Sequence, residues 1–243
     1  MQKQPYSSLP AKVGWFVDRF GLAEVFWKPV RVVCAPLVIP CLARRSFAWQ
    51  GAELEYFYHR YNMTWASERC IEIPIAKSYL NQYRERRVLE VGNVLSHYFP
   101  AAHDVLDKFE RGPNVINQDI VGFAPGRRYD LILSISTFEH IGFDDDATEP
   151  SGKKIQAAIA TCRALLEPAG KLVLTVPLGY NPDLDMMIRN GELGTTREFY
   201  FHRPQRRHWE PCGKEQALTC RFKTPFPYAN ALLVAEFSST SGG

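Results

Sequence analysis

Several polar residues stand where short apolar runs end, and that placement suits ligand chemistry. Glu90, Gly92 and Asn93 follow the run Val88-Leu-Glu-Val91. Asp107 closes the run that starts at His103, and Asp119 with Ile120 follows the run that starts at Val115. Ser134 and Ser136 end the run from Tyr129, and Glu139 and His140 come just after. Apolar runs bounded by turns and alternating with helical segments predict a parallel sheet covered on both faces. In such a sheet, ligands sit beyond the carboxyl ends of the strands. The same residues admit plainer readings. Glu90 can accept amide hydrogen bonds from its loop, Asp107 and Asp119 can be ordinary strand-end acids, and His140 can cap the following turn.

The elements that must position them are read as follows. Residues 47 to 75 read as extended, with Ile71, Ile73 and Ile75 alternating like a strand end. Lys77 to Arg86 reads as a helix. Strands are expected at Val88 to Val91, His103 to Asp107, Val115 to Asp119, Tyr129 to Ser136 and Lys171 to Pro177. Between the last two, Gly152 to Leu166 has apolar residues spaced for one helical face, and Pro168-Ala-Gly170 is expected to stop it. Ala231 to Phe237 reads as a late strand, with the chain from Arg221 onward as its expected partner. The organisation predicted is an N-terminal helical and extended cap over residues 1–80 and a ligand-binding α/β domain over residues 81–243.

The ordered set Val88-Leu-Glu-Val-Gly92, Asp107, Asp119, Tyr129-Asp130, Ser136-Thr-Phe-Glu-His140 and Leu166-Glu-Pro-Ala-Gly-Lys-Leu172 resembles the class I methyltransferases that use S-adenosylmethionine (SAM). The resemblance covers roughly residues 87–177. The segment from Glu90 to Tyr98 is also similar to a branch acting in sugar and cell-surface polysaccharide pathways. The resemblance implies a Rossmann-like, doubly wound, mostly parallel sheet and a SAM site built from Glu90, Gly92, Asn93, Asp107, Asp119, Ile120, Ser134 and Ser136. It assigns Gly92 to the amino-acid end of SAM and Asp107 to the ribose hydroxyls. Asp119 and the Ile120 amide go to the adenine, and Ser134 and Ser136 to the methionine ammonium. Asp107 lies seventeen positions after Glu90, close to the ~20-residue spacing of the dinucleotide fingerprint.

His140 falls on the methyl side in this family, which makes it the expected general base or acceptor-orienting residue. Two departures stand out. The loop reads Gly92-Asn-Val-Leu-Ser96 where the family has Gly-x-Gly-x-Gly, and Val94 resists a positive φ. Pro168-Ala-Gly170 replaces Pro-Gly-Gly. An NAD site is the nearest rival, but it needs the missing glycines to seat a pyrophosphate. A catalytically silent module of the same fold is the other reading.

The acceptor is expected to be a saccharide or small molecule. Candidates for its pocket are Tyr56, Tyr58, Trp65, Arg69 and Glu72, with Tyr180, Asn181, Asp183, Arg203, His208 and Trp209. Aromatic packing under a lid would use the same residues. Asp144, Asp145 and Asp146 read as a solvated acidic loop, and no metal is expected.

The chain of 243 residues is 46% hydrophobic and 23% charged, which suits a globular protein with a real core. A net charge of +3 is too mild to imply nucleic acid. The basic cluster Arg197, Arg203, Arg206 and Arg207, with His202 and His208, fits a solvated loop or an anionic substrate. Six cysteines without a Cys-x-x-Cys pair imply free thiols and a cytoplasmic setting. No secretory signal is read at the start. The aromatic residues Trp15, Phe16, Phe20, Phe26 and Trp27, with Leu22, suggest short packing helices. Val30 to Ala43 is apolar but holds Arg31, Pro36 and Pro40, too broken to span a bilayer. It is compatible with lying on a membrane surface or in a dimer interface.

Overall fold

The structure is a computed structural model that describes residue 17 and residues 22–42, 45–100, 102–144 and 150–239. Trp15, Phe16, Phe20 and the side chains of Leu22 and Phe26 lie outside that description. Helix α1 (Leu22–Val38) leads to a hairpin of β1 (Ser46–Trp49) and β2 (Ala52–Glu55), followed by helix α2 (Arg69–Gln82). The sheet begins with β3 (Val88–Val91), β4 (Asp104–Leu106), β5 (Val115–Ile116) and β6 (Tyr129–Ile135). Helix α3 (Ser151–Ala164), strand β7 (Leu166–Pro177) and helix α4 (Pro182–Asn190) come next. The chain then forms β8 (Arg197–Gln205), β9 (His208–Cys212), α5 (Lys214–Thr219) and β10 (Ala231–Ser238).

The main sheet runs in the order β5-β4-β3-β6-β7-β10-β8-β9. Strands β5, β4, β3, β6 and β7 are parallel. Strand β10 is antiparallel to β7 on one side and β8 on the other, and β9 extends β8 as a hairpin. This is the Rossmann-like, doubly wound α/β sheet that the sequence predicts.

Strand residues divide between two cores because successive side chains point to opposite faces. Leu89, Val91, Ile132, Leu172, Leu174 and Leu233 pack under α3, α4 and α5, with Ile155, Ile159, Leu184 and Ile188. Val88, Leu131, Leu133, Val173, Leu232 and Val234 pack under α2 and the β1–β2 hairpin, with Ile71, Ile73, Ile75, Tyr79, Phe47 and Trp49. Residues 46–82, expected as a cap, therefore share a core with the sheet.

Four local expectations are corrected. Ile71 to Ile75 is helical, inside α2. All three isoleucines are fully buried, so their apolar pattern is not confined to one helical stripe and mimics alternation. Helix α3 ends at Ala164, and Pro168-Ala-Gly170 already belongs to β7. The strand pairs Tyr129 with Leu166 and then shifts register before Leu131. Gly170 lets it pass the Tyr129 carbonyl, since an added Cβ would lie 2.8 Å from that oxygen. Strand β5 stops at Ile116, short of Asp119. Finally, the partner of β10 is β8, while Arg221 only bridges Thr224.

Candidate active site

The carboxyl ends of β3, β4 and β6 open into a cleft of about 640 Å³. It lies where the strand order reverses, with β4 and β5 on one side of β3 and β6 on the other. Gly92, Asp107, Asp119, Ile120, Ser136 and His140 line it. Val91, Leu106, Phe109 and Ile141 supply apolar wall, and Asn62 and Arg69 reach it from the N-terminal region. Glu90, Asn93 and Ser134 are not among the residues that line it.

Glu90 is fully buried. Its Oε1 accepts from the amides of Val94 and Leu95, both at 2.8 Å, and its Oε2 lies 2.8 Å from His103 Nε2. The carboxylate thus secures the loop from inside, the plainer of its two readings. Val94 keeps φ at −112° and a 3-10 turn, Leu95–His97, follows. The loop avoids the positive φ that a valine resists by taking a different path from a glycine-rich turn. Asn93 Oδ1 accepts from Ser96 Oγ. Ser134 Oγ donates to the Val91 carbonyl at 2.8 Å, stitching β6 to β3. Gly92 does need its missing side chain. Its φ is +90°, and an added Cβ would stand 2.2 Å from Thr137 Oγ1.

Asp107 accepts three backbone amides: Phe109 at 2.8 Å and Glu110 at 2.7 Å on Oδ1, and Asn93 at 2.9 Å on Oδ2. A carboxylate has about four acceptor positions, so one remains to face the cleft. Asp119 Oδ1 accepts from the Val121 amide at 3.0 Å, and its Oδ2 lies 3.0 Å from Lys108 Nζ. Ile120 beside it is buried.

At the other end of the cleft, Ser136 has φ +39°. Its Oγ donates to Glu72 Oε1 at 2.6 Å, and Thr175 Oγ1 donates to the same oxygen at 2.6 Å. Arg69 Nη1 lies 3.2 Å from Glu72 Oε2 and donates to the Ile135 carbonyl at 3.1 Å. Helix α2 is thereby tied to β6 and β7 through polar groups.

His140 Nδ1 is 2.5 Å from Asp144 Oδ2, which also accepts from Tyr180 OH at 2.7 Å. Its Nε2 faces Glu139 Oε1 at 3.5 Å. Desolvation works against charge on the imidazole, but Glu139 and Asp144 outweigh it and raise the pKa above the usual histidine value. Glu139 is 2% exposed. Burial pushes its carboxyl up to about 7, against the pull of His140. Its Oε2 has no hydrogen-bond partner among the described residues.

The sequence assigns Asn62 and Thr137 no role, and Glu139 and Asp144 read there only as a strand-end neighbour of His140 and as part of an acidic loop. Glu139 had a signal, since it directly precedes His140 after a strand. Among the acceptor candidates, Arg69 lines the cleft, with Glu72 directly behind it. Tyr180 braces Asp144, and Asn181 caps α4 while its Nδ2 donates to the Glu139 carbonyl at 2.9 Å. Tyr56 OH bonds both the amide and the carbonyl of Trp209, and Trp209 is buried. Arg203 is also buried, lying over Trp209 and Phe226 and donating to the Pro227 carbonyl at 3.0 Å. That part of the basic cluster is structural. Asp145 and Asp146 lie outside the described residues. No group of three metal-binding side chains occurs among the described residues.

The topology and the cleft define the class: a Rossmann-like α/β protein with a cleft at the switch point of its sheet. No family model matches the chain, and no curated protein matches it. It is similar to solved structures of methyltransferases. One is the N-methyltransferase NodS from Bradyrhizobium japonicum WM9 in complex with S-adenosyl-L-homocysteine, at 14% identity over 72% of this chain and 88% of that one, with a TM-score of 0.46. Another is a TehB-like SAM-dependent methyltransferase from Corynebacterium glutamicum, at 16% identity, 70% and 87% coverage and a TM-score of 0.42. A third is the CcbJ methyltransferase from Streptomyces caelestis, at 14% identity, 70% and 89% coverage and a TM-score of 0.39. Likeness this distant assigns no activity.

Proposed function

We propose that this chain is a SAM-dependent methyltransferase acting on a hydroxyl of a saccharide or another small polar acceptor. The observation that carries the proposal is the order of residues along one cleft: Gly92 after β3, Asp107 after β4, Asp119 and Ile120 after β5, and Ser136 to His140 after β6. The cleft has the size and mixed lining of a small-molecule site. Leu106 and Ile120 offer an apolar slot for a purine, with Gln118 and Asp119 at its edge. Asp107 keeps one acceptor position for a ribose hydroxyl. Gly92 and Ser136 stand at the end assigned to the amino-acid part.

When bound, SAM supplies an electrophilic methyl group. The chain's part is to bind, orient and move a proton. Arg69 places positive charge on the acceptor side, and His140, braced at Nδ1 by Asp144, stands there to orient an electron-rich group. His140, braced by two carboxylates, is the residue placed to orient the acceptor or to take its proton. Glu139 is not among the residues lining the cleft; its buried carboxyl lies 3.5 Å from His140 Nε2 and helps to hold the imidazole. All six cysteines are free, which fits a cytoplasmic enzyme.

A silent module of the same fold is the second reading, favoured by the three amides already held on Asp107. Calorimetric titration of SAM separates the two. The expected outcome is micromolar binding to wild type, weakened roughly ten- to a hundredfold in Asp107→Ala, the loss of one charge-assisted hydrogen bond. Asp107→Asn and a thermal melt of each variant control for the loop that Asp107 holds. No binding by a folded wild type would establish the silent module.

A further inference from the structure

Helix α1 presents a face that no other described residue covers. Pro29, Val30, Val32, Val33, Pro36 and Leu37 are all exposed, Val33 at 76% and Leu37 at 77%. At 100° per residue Val30, Val33 and Leu37 fall on the side opposite Ala35, which is fully buried, and Pro29, Pro36 and Val32 continue the same face to one side. The exposed positions between residues 29 and 38 thus hold no charged or hydrogen-bonding side chain. Trp27, 55% exposed, stands at the edge of this face. Contiguous apolar surface of this kind marks a site of association. No described helix is long and apolar enough to cross a membrane.

The charge distribution selects the occupant. Residues 1–45 contain Lys3, Lys12, Arg19, Lys28, Arg31, Arg44 and Arg45 against Asp18 and Glu24. The remaining 198 residues hold 22 basic and 24 acidic side chains. The positive excess of the chain therefore resides wholly in the segment that carries the bare apolar face. A second copy would bring like charge to like charge. An anionic bilayer surface meets both features, taking the apolar side chains at the level of the acyl boundary and the basic ones among the headgroups.

We infer that α1 docks in the plane of an anionic lipid surface, with Val33 and Leu37 inserted and the net positive charge of residues 1–45 drawing the segment to the headgroups. The inference is independent of the cofactor. It is tested by flotation of the full chain with vesicles of phosphatidylcholine containing one third phosphatidylglycerol, and with phosphatidylcholine alone. The double variant Val33→Glu/Leu37→Glu is run beside it, with circular dichroism to show that it folds. Wild type is expected to float with the anionic vesicles, to do so less at high salt, and to stay behind with neutral ones. The variant is expected to lose roughly tenfold or more of the bound fraction. Wild type that fails to float with anionic vesicles overturns the inference, and so does flotation that the variant leaves unchanged. A dimer by light scattering that the variant dissociates, without vesicle binding, would assign the face to a second copy instead.

Discussion

Glu139 and His140 share a problem that one residue alone would not have. Each is raised in pKa, and each contributes to the other's shift. A buried carboxyl raised to about 7 favours the folded state while it is protonated. That stabilisation is fully present below the ordinary carboxyl range and is lost as pH rises through about 7. The histidine acts in the same direction, since its folded pKa is also raised. Wild-type stability is therefore expected to fall as pH rises from about 4.5 through about 7, with Glu139 contributing up to about 3 kcal/mol and His140 adding to the fall in the same direction. Glu139→Gln should flatten the slope in urea denaturation. An unchanged slope would show that another group titrates. Gly92→Ala tests a steric claim at the same scale. The positive φ and the Thr137 side chain together predict a loss of about 1–3 kcal/mol, partly recovered in the double variant with Thr137→Ala; thermal melts of both read it. The positions of Gly92, Asp107, Asp119 and Ser136 were legible because strand ends are legible. The hold of Glu90 on its own loop was among the readings the sequence offered, but the commitment of Asp107 to three amides was not, because it depends on the path of a loop whose glycines are replaced.

Helix α2 shows what element-scale patterns conceal. Its isoleucines are buried and it carries Pro74, so neither a clean stripe nor a proline-free run announces it. Its anchor is Glu72, which joins Arg69, Ser136 and Thr175. Glu72→Leu is expected to cost about 3–5 kcal/mol, because it leaves a buried guanidinium without its carboxylate. Glu72→Gln should cost less, since its amide oxygen still accepts from the two hydroxyls. Chemical denaturation of the pair distinguishes a polar anchor from mere filling of space. The β8–β9 hairpin was concealed differently. Arg197, His202 and Arg203 read as a basic loop, yet His202 pairs with Glu210 at 2.8 Å and Arg203 is buried over aromatic rings. Periodicity records where side chains point, and it fails where charged groups are buried by pairing.

At the scale of the whole molecule, two surfaces stand apart: the cleft at the strand ends and the exposed apolar face of α1. If SAM binds only the folded state, its free energy adds to stability. A concentration a hundredfold above the dissociation constant should raise stability by about 2.7 kcal/mol, seen as a higher melting temperature. Val33→Glu/Leu37→Glu should leave that shift intact, because α1 contributes no residue to the cleft lining. A shift lost in the variant would mean that the two surfaces are coupled.

Strand β10 is the last strand of the sheet in sequence, yet it lies between β7 and β8. During synthesis, β7 emerges from the ribosome with an open edge that stays unpaired until residues 231–238 follow. The β8–β9 hairpin leaves the exit tunnel with no sheet to join. For that interval the nascent chain displays an apolar, aggregation-prone border. The parallel half can order early, but closure must wait for the final strand. A ribosome stalled before Ala231 would therefore hold out a chain suited to chaperone capture and proteolysis.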